Sequence, residues 1–559
     1  MTENPSILTA QTLIATLLAA RVPVAAYCPG SRNAPFAYAL AQAEAEGQIR
    51  VGTFSDERSA GFWALGMAKA LAAQAGQPVP VPVFTTSGTA VTELHSAVEE
   101  ARLQGLALVV ITADRPHELR GVGASQTTIQ EGIFPGVVAA SIPAGRSGER
   151  VATAAPLTRL LRAACDTPGP VHLNVAFADP LVPASDLVLP TVPVPTYLAT
   201  PPTLPSWDEV VDPSLWTVVV AGDSADPAVI AAATARQVPI LAEPSSGATA
   251  SPSWVPHTPL LLRYLYQQRD IQQVVVTGRP TLSRPVVALL GRHDVRKIVV
   301  SPRADYPDQS YTAQVVVAGL AASDGGAGDP GWLATWRAGA DCVGQVVAEV
   351  SGAELNLLAI SRLLWASQPE VALWLSASNA VRGFDLAAAS PARAQVYANR
   401  GLAGIDGTVA SALGLASGLG RPVRAVIGDL AFAADLSTLV QQPGLPADLQ
   451  VVVLNDGGGS IFASLEHGGA PADLYERYFA VAPRMDVVAL AEAAGWRAER
   501  VSRFDELEPA LAAPVSGRSV IEVVMPRPDA LLRELAARTE AALSRLHVSQ
   551  LSPRVNPEN

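Results

Sequence analysis

Two acid-bearing segments in the last third of the chain each follow a short apolar run. In VRAVIGDLAFAADLSTL, Gly428-Asp429 closes the run at residues 423–427. In LQVVVLNDGGGSIF, Asn455-Asp456-Gly457-Gly458-Gly459 closes the run at residues 449–454. The two aspartates are 456 − 429 = 27 residues apart, room for one helix and its loops. If both runs are neighbouring parallel strands, their ends lie side by side. Two carboxylates, an amide and bare glycine carbonyls then form a hard oxygen site, which suits Mg2+ with a phosphate in its shell. The glycine run lets the backbone approach a diphosphate closely. Either segment alone reads equally well as a turn; the ordered pair is the informative feature.

Other loops carry cations and hydroxyls. Pro29-Gly30-Ser31-Arg32-Asn33 follows one apolar run and precedes a helix, a place where open α/β sheets bind ligands and a helix start favours an anion. A simple βα turn explains it about as well. Thr85-Thr86-Ser87-Gly88-Thr89-Ala90 opens another helix, and capping accounts for one hydroxyl rather than four. Asp114-Arg115 and, further on, Arg120 and Gln126 lie in a long polar loop where arginines can grip a carboxylate bidentately. Asp56-Glu57 reads on its own as an acidic helix start. SNAVRGFD (Ser378, Arg382) and NRGLAGIDGTVASALGLASG (Arg400, Gly404, Ile405, Asp406) place arginines among small residues, and Asp406 is expected to cap the helix that follows.

The elements that must position these loops repeat along the chain. Continuous apolar runs at residues 24–28, 106–112, 216–221, 273–277, 297–300, 423–427 and 449–454 alternate with Ala/Leu-rich helical stretches. Such runs are strands buried on both faces, hence parallel sheets covered by helices. A Pro-rich tract at 190–205 and a Gly/Asp-rich break at 321–331 divide the 559 residues into segments 1–185, 200–325 and 350–559. The expected fold is α/β, three stacked doubly wound domains with mainly parallel sheets. Net charge is 39 − 51 = −12, which argues against nucleic-acid binding and leaves anionic ligands to local arginines. Three scattered cysteines give neither a disulfide framework nor a zinc site. The N-terminus lacks the features of a signal peptide, and no apolar run is long enough to span a bilayer, so a cytoplasmic protein without membrane partners is expected.

The spaced GD and ND pair resembles the thiamine diphosphate-binding motif of the decarboxylase and carboligase superfamily, whose pyrimidine-binding, central and diphosphate-binding domains come in that order. CPGSRNAP, DERSAGFWALGMAKA, TTSGTAVTELHSAVEEA, ITADRPHELRGVGASQT, GPVHLNV and NRGLAGIDGT are similar to a narrower family, the 2-succinyl-5-enolpyruvyl-6-hydroxy-3-cyclohexene-1-carboxylate synthases of menaquinone biosynthesis. These stretches cover most of the first and third segments; the middle one resembles the family loosely. Leu430 stands where the general motif has a second glycine, Asp456 where many members have Asn, and Ser125 where Asn is expected before Gln126.

The resemblance implies decarboxylation of 2-oxoglutarate and addition of the remaining four-carbon unit to isochorismate, with thiamine diphosphate and Mg2+ or Mn2+. It implies that Glu57 is the catalytic group, bonded to the aminopyrimidine, and that burial raises its pKa. Thr86, Ser87, Gly88, Gly404, Ile405, Gly428, Asp429, Leu430, Gly457, Gly458, Ile461 and Phe462 would surround the cofactor, Ile405 beneath its thiazolium. Asp429, Asp456 and the Gly458 carbonyl would hold the metal, with Asn455 as the reserve ligand. Ser31, Arg32, Arg115, Gln126, Arg284, Ser378, Arg382 and Arg400 would meet the substrates. A homodimer or homotetramer with active sites at the subunit interface is also implied. Another thiamine diphosphate-dependent 2-oxo acid decarboxylase or carboligase, such as an acetolactate synthase, is the alternative; fewer carboxylate-binding arginines would mark it.

Overall fold

The computed structural model describes residues 4–145, 150–185, 187–193, 203–265, 270–322, 325–326, 328–366 and 368–546. Parts of the proline tract and of the Gly/Asp break therefore lie outside the described residues.

The apolar runs form strands, and three sheets result. The first contains β1 (Val24–Tyr27), β2 (Arg50–Thr53), β3 (Val81–Thr85), β4 (Leu108–Asp114), β5 (Val138–Ile142) and β6 (Val171–Ala176). The second contains β7 (Thr217–Ala221), β8 (Ile240–Ala242), β9 (Gln273–Thr277), β10 (Arg296–Val300) and β11 (Ala313–Val317). The third contains β12 (Ala372–Leu375), β13 (Val396–Tyr397), β14 (Val423–Gly428), β15 (Leu449–Asn455), β16 (Arg497–Val501) and β17 (Arg518–Val524). Neighbouring strands run parallel throughout, for example β3 with β4 and β14 with β15. All seven residues of β4 and all six of β6 are buried, as strands covered by helices on both faces must be. The strand order of the first sheet is β2-β1-β3-β4-β6-β5 and that of the third is β13-β12-β14-β15-β17-β16. Counted from its own first strand, each reads 2-1-3-4-6-5, so the outer sheets are two copies of one topology. The central sheet differs, with the order β11-β10-β9-β7-β8.

The outer sheets share a core. The helix Glu57–Ala75 packs on the helix Thr408–Leu419 through small residues. A Cβ on Gly66 would lie 1.8 Å from the Ser411 carbonyl oxygen, and one on Gly414 would lie 1.9 Å from that of Trp63. Only glycine permits this backbone contact. The first and central sheets are joined by a buried ion pair, Lys69 to Asp223 at 3.6 Å. The helix Pro330–Ser351, between the second and third sequence segments, packs on the helices Thr258–Leu265 and Asp529–Leu543, and its Trp332 Nε1 donates to the Thr217 carbonyl at 2.8 Å. No helix among the described residues is long and apolar enough to cross a membrane.

Candidate functional site

The register of β14 on β15 pairs Gly428 with Leu454, so Asp429 and Asp456 emerge from adjacent strand ends. Asp429 is buried, and its two carboxylate oxygens accept the Leu430 and Gly458 N–H groups at 2.7 Å each. Asp456 accepts the Ser460 hydroxyl. Burial pushes the Asp456 carboxyl up to about 7, the nearby Asp429 adds to the rise, and Ser460 and Arg527 oppose it. Burial likewise raises Asp429. Two crowded carboxylates short of positive charge are what a divalent cation would compensate. Gly458 has φ +92°, and a Cβ there would lie 2.4 Å from the Ala480 carbonyl oxygen, so the loop backbone is folded as tightly as glycine allows. The donor set and this cradle fit a metal-bound diphosphate. Asn455 Nδ2 donates to Glu522 Oε1 at 2.7 Å, across to β17. Its Oδ1 accepts the Gly457 N–H at 3.3 Å, so the amide oxygen stays on the glycine loop. Ile461 and Phe462 follow in the turn Ser460–Ser464, with Phe462 partly exposed.

In the first domain, β1 and β3 are neighbours, so the loops after them touch. A Cβ on Gly30 would meet the Thr86 side chain at 2.4 Å. Ser31 is exposed in the same loop. Arg32 donates to the Phe177 carbonyl at 2.9 Å and pairs with Asp179 at 3.5 Å, while its buried Nε has no hydrogen-bond partner. Arg115 donates to Ser87 Oγ at 2.6 Å and to the Ser125 carbonyl at 2.7 Å. Burial and the charge of Arg32 lower its pKa, which places two cations at one spot. Gln126 is exposed, with φ +52°, and its backbone passes over Gly88. Gly88 starts the short helix Thr89–Thr92 with φ +82° and no side-chain cap, so the hydroxyls before it do not serve as caps.

Glu57 opens its helix behind the N-cap Asp56, whose side chain accepts from the Arg58 and Ser59 N–H groups. Burial raises the Glu57 pKa, and the charges of Asp56 and Glu93 add to it. Both acids belong to its own domain; neither Asp429 nor Asp456 is among the charges acting most on it.

A third cluster lies between the central and third sheets. Arg400 is buried, donates from Nη2 to Thr281 Oγ1 at 2.9 Å, and keeps an Nε without a hydrogen-bond partner. Burial, then Arg400 and Arg284, lower the pKa of Arg382. Arg284 itself is exposed and pairs with Glu466 at 2.9 Å. Arg284 and Arg382 line a cavity of about 640 Å³ together with Asp385 and Asn379. Ser378 caps the helix Asn379–Ala387 by accepting from the Ala380 N–H at 3.0 Å. Gly404 is exposed and Ile405 half-buried in the loop that leads into the helix Thr408–Leu419.

Asp406 does not cap that helix. Asp435 accepts from Gly407 N–H at 2.8 Å and Val409 N–H at 2.7 Å, whereas Asp406 is exposed and only approaches Arg58 at 3.7 Å. A carboxylate from 28 residues further along the chain reaches the helix start because its own segment is packed there, a contact no local pattern encodes. Burial raises Asp435 to about 6 even against those two donors. Sequence reasoning also missed two buried acids beside Arg400: Glu243, pushed up to about 7 by burial, and Asp385, raised by burial and by Glu243. Glu243 directly follows the buried strand β8 and Asp385 follows Arg382 on one helix; sequence spacing alone marks neither.

Two family descriptions match the chain: "Thiamine pyrophosphate enzyme, N-terminal TPP binding domain" over residues 8–133 and "Thiamine pyrophosphate enzyme, C-terminal TPP binding domain" over residues 375–523. Among similar proteins, one from Renibacterium salmoninarum is 41% identical over 96% of this chain and 97% of its own length. One from Kineococcus radiotolerans is 40% identical over 97% and 100%. One from Mycobacterium marinum is 36% identical over 97% and 100%. All three carry the name 2-succinyl-5-enolpyruvyl-6-hydroxy-3-cyclohexene-1-carboxylate synthase.

Proposed function

The chain belongs to the 2-succinyl-5-enolpyruvyl-6-hydroxy-3-cyclohexene-1-carboxylate synthase family of thiamine pyrophosphate enzymes, and from that premise we propose how its residues divide the work. The reaction is the thiamine diphosphate-dependent decarboxylation of 2-oxoglutarate and conjugate addition of the remaining four-carbon unit to isochorismate, releasing CO2, a step of menaquinone biosynthesis. The observation that carries it is similarity to synthases of that name over nearly the whole chain. The acetolactate-synthase alternative has no support among these relatives.

Bound thiamine diphosphate supplies a thiazolium carbon that adds to the 2-oxo group and accepts the electron pair left by CO2. Glu57 holds a proton against the aminopyrimidine nitrogen, and its raised pKa suits that sharing. Asp429, Asp456 and the Gly458 carbonyl would hold Mg2+ or Mn2+, in support of which burial leaves the two neighbouring carboxylates raised, with Asn455 as the reserve ligand through its Oδ1. Gly428, Leu430, Gly457, Ile461 and Phe462 line the diphosphate end. Thr86, Ser87, Gly88, Gly404 and Ile405 line the pyrimidine and thiazolium end. Both substrates are dicarboxylates. Arg32 and Arg115, with Ser31 and Gln126, form one anion seat; Arg382 and Arg400, with Ser378 and the more exposed Arg284, form another. Donors held in a water-poor site stabilise a substrate carboxylate far better than surface cations do.

Glu57 feels the acids of its own domain rather than Asp429 or Asp456. In keeping with this, Glu57 of one chain would serve the metal site of a second chain, in a cytoplasmic homodimer or homotetramer. The three sheets support domains at 1–185, 200–325 and 350–559. The test supplies thiamine diphosphate, Mg2+, 2-oxoglutarate and isochorismate and follows the loss of isochorismate absorbance. Decarboxylation without any adduct would overturn the assignment.

A further inference from the structure

Arg400 sits where three domains meet, between two buried carboxylates that each grip a pair of consecutive backbone N–H groups. Glu100, on the helix His95–Gln104 of the first domain, accepts the Gly401 N–H with Oε1 at 2.7 Å and the Leu402 N–H with Oε2 at 2.6 Å. Glu243, just after β8 of the central domain, accepts the Thr281 and Leu282 N–H groups with Oε1 at 2.7 Å each. Thr281 in turn accepts the Arg400 Nη2 hydrogen at 2.9 Å. Glu100 is 3% exposed, Glu243 5% and Arg400 4%.

Burying a carboxylate is costly unless it is hydrogen-bonded, and charge-assisted bonds to backbone N–H groups are among the stronger ones. Glu100 makes two such bonds to the residues directly after Arg400. The contact is close enough to dictate sequence: a Cβ on Gly401 would lie 2.8 Å from the Glu100 carbonyl oxygen and 3.0 Å from its Cδ. The helix bearing Glu100 follows the Thr86-Ser87-Gly88 loop, so the same element ties the pyrimidine-side loop to the Arg400 loop.

We propose that Glu100 is a positioning residue which sets the Arg400 guanidinium for a substrate carboxylate by clamping the Gly401–Leu402 backbone, with Glu243 holding the opposite side through Thr281. This rests on the reading that Arg400 meets a substrate carboxylate. Glu100 touches no substrate in this arrangement. It converts the docking of the first domain onto the third into the placement of one cation.

The test is a double-mutant cycle on the full-length enzyme with thiamine diphosphate and Mg2+, using E100Q, R400A and the pair together. A glutamine cannot accept both N–H groups with separate oxygens, so E100Q loses one clamp bond. That loss raises KM for the substrate held by Arg400 about tenfold, with kcat changed less than about threefold. R400A raises the same KM at least as much. In the R400A background E100Q adds no more than about twofold, because its target is gone. T281V, which leaves both clamps in place and removes the Arg400 acceptor, raises the same KM and guards against a folding failure of E100Q. If the E100Q and R400A effects multiply in full, or T281V leaves KM unchanged, the positioning role is overturned. If R400A alone leaves KM for both substrates unchanged, the substrate assignment of Arg400 fails, and the clamp proposal fails with it.

Discussion

Gly457 and Gly458 offer a matched pair for testing the metal loop. Both have positive φ, +82° and +92°, so a side chain at either strains the backbone by about 1–2 kcal/mol. Their surroundings differ. A Cβ on Gly457 meets only Arg527 Nη2, at 3.9 Å, which is ordinary contact. A Cβ on Gly458 lies 2.4 Å from the Ala480 carbonyl oxygen, 2.7 Å from Ala482 Cα and 2.9 Å from Ala482 N, all backbone atoms. Ordinary contact begins at 3.4 Å, so the loop or the 480–482 segment must give by 3.4 − 2.4 = 1.0 Å. Gly458 also donates its N–H to Asp429 at 2.7 Å, so a shift of that size moves a proposed ligand carbonyl and a carboxylate together. A displacement of about 1 Å at a reacting centre costs on the order of 100-fold in rate. G457A should therefore lose stability by about 1–2 kcal/mol and keep Mg2+-dependent thiamine diphosphate binding. G458A should lower turnover by about 100-fold or more and weaken that binding as well. Calorimetric titration of each variant with thiamine diphosphate at fixed Mg2+ reads the binding, and isochorismate consumption reads the turnover. Equal losses in the two variants, or an unchanged G458A, would refute a metal site built on the Gly458 carbonyl.

E57Q should still bind thiamine diphosphate while turnover falls by about 100-fold or more, read by paired binding and isochorismate-consumption assays. D435N should destabilise the Arg400–Thr408 connection by about 1–3 kcal/mol, because Asp435 carries two N–H bonds at the helix start, whereas D406N should be near neutral; thermal melts of both separate them. Glu243 is raised to about 7, so between pH 4.5 and 7 the folded protein holds a proton that the unfolded chain has released. Stability should fall as pH rises through that window, by roughly 3 kcal/mol for this group. E243Q, with Arg400, Asp223 and Asp385 still facing the site, should flatten that part of the melting-temperature profile.

The strands and their burial were legible because parallel strands covered on both faces must be continuous apolar runs. The runs at 423–427 and 449–454 became β14 and β15, side by side, and Asp429 and Asp456 came together as the 27-residue spacing required. The glycine run at 457–459 was legible for a local reason too: Gly457 and Gly458 adopt backbone that other residues avoid. What the sequence left open were choices between adjacent polar groups. Asn455 and Asp456 are neighbours in the chain, and only the pairing of β15 with β17 brings Glu522 to the Asn455 amide nitrogen, while Asp456 meets the Ser460 hydroxyl. The cap of the Thr408 helix went to Asp435 rather than to the adjacent Asp406 because packing brought a buried carboxylate there. Glu100, in the run EEA, looks like any solvated helix acid, yet domain docking buries it against Gly401. Local sequence dictates backbone form, because sterics and hydrophobic periodicity act within a few residues. Which carboxylate meets which N–H group across tens or hundreds of residues is decided by the tertiary fold, because burial makes each unsatisfied polar group costly and only the packed arrangement says which groups are buried together.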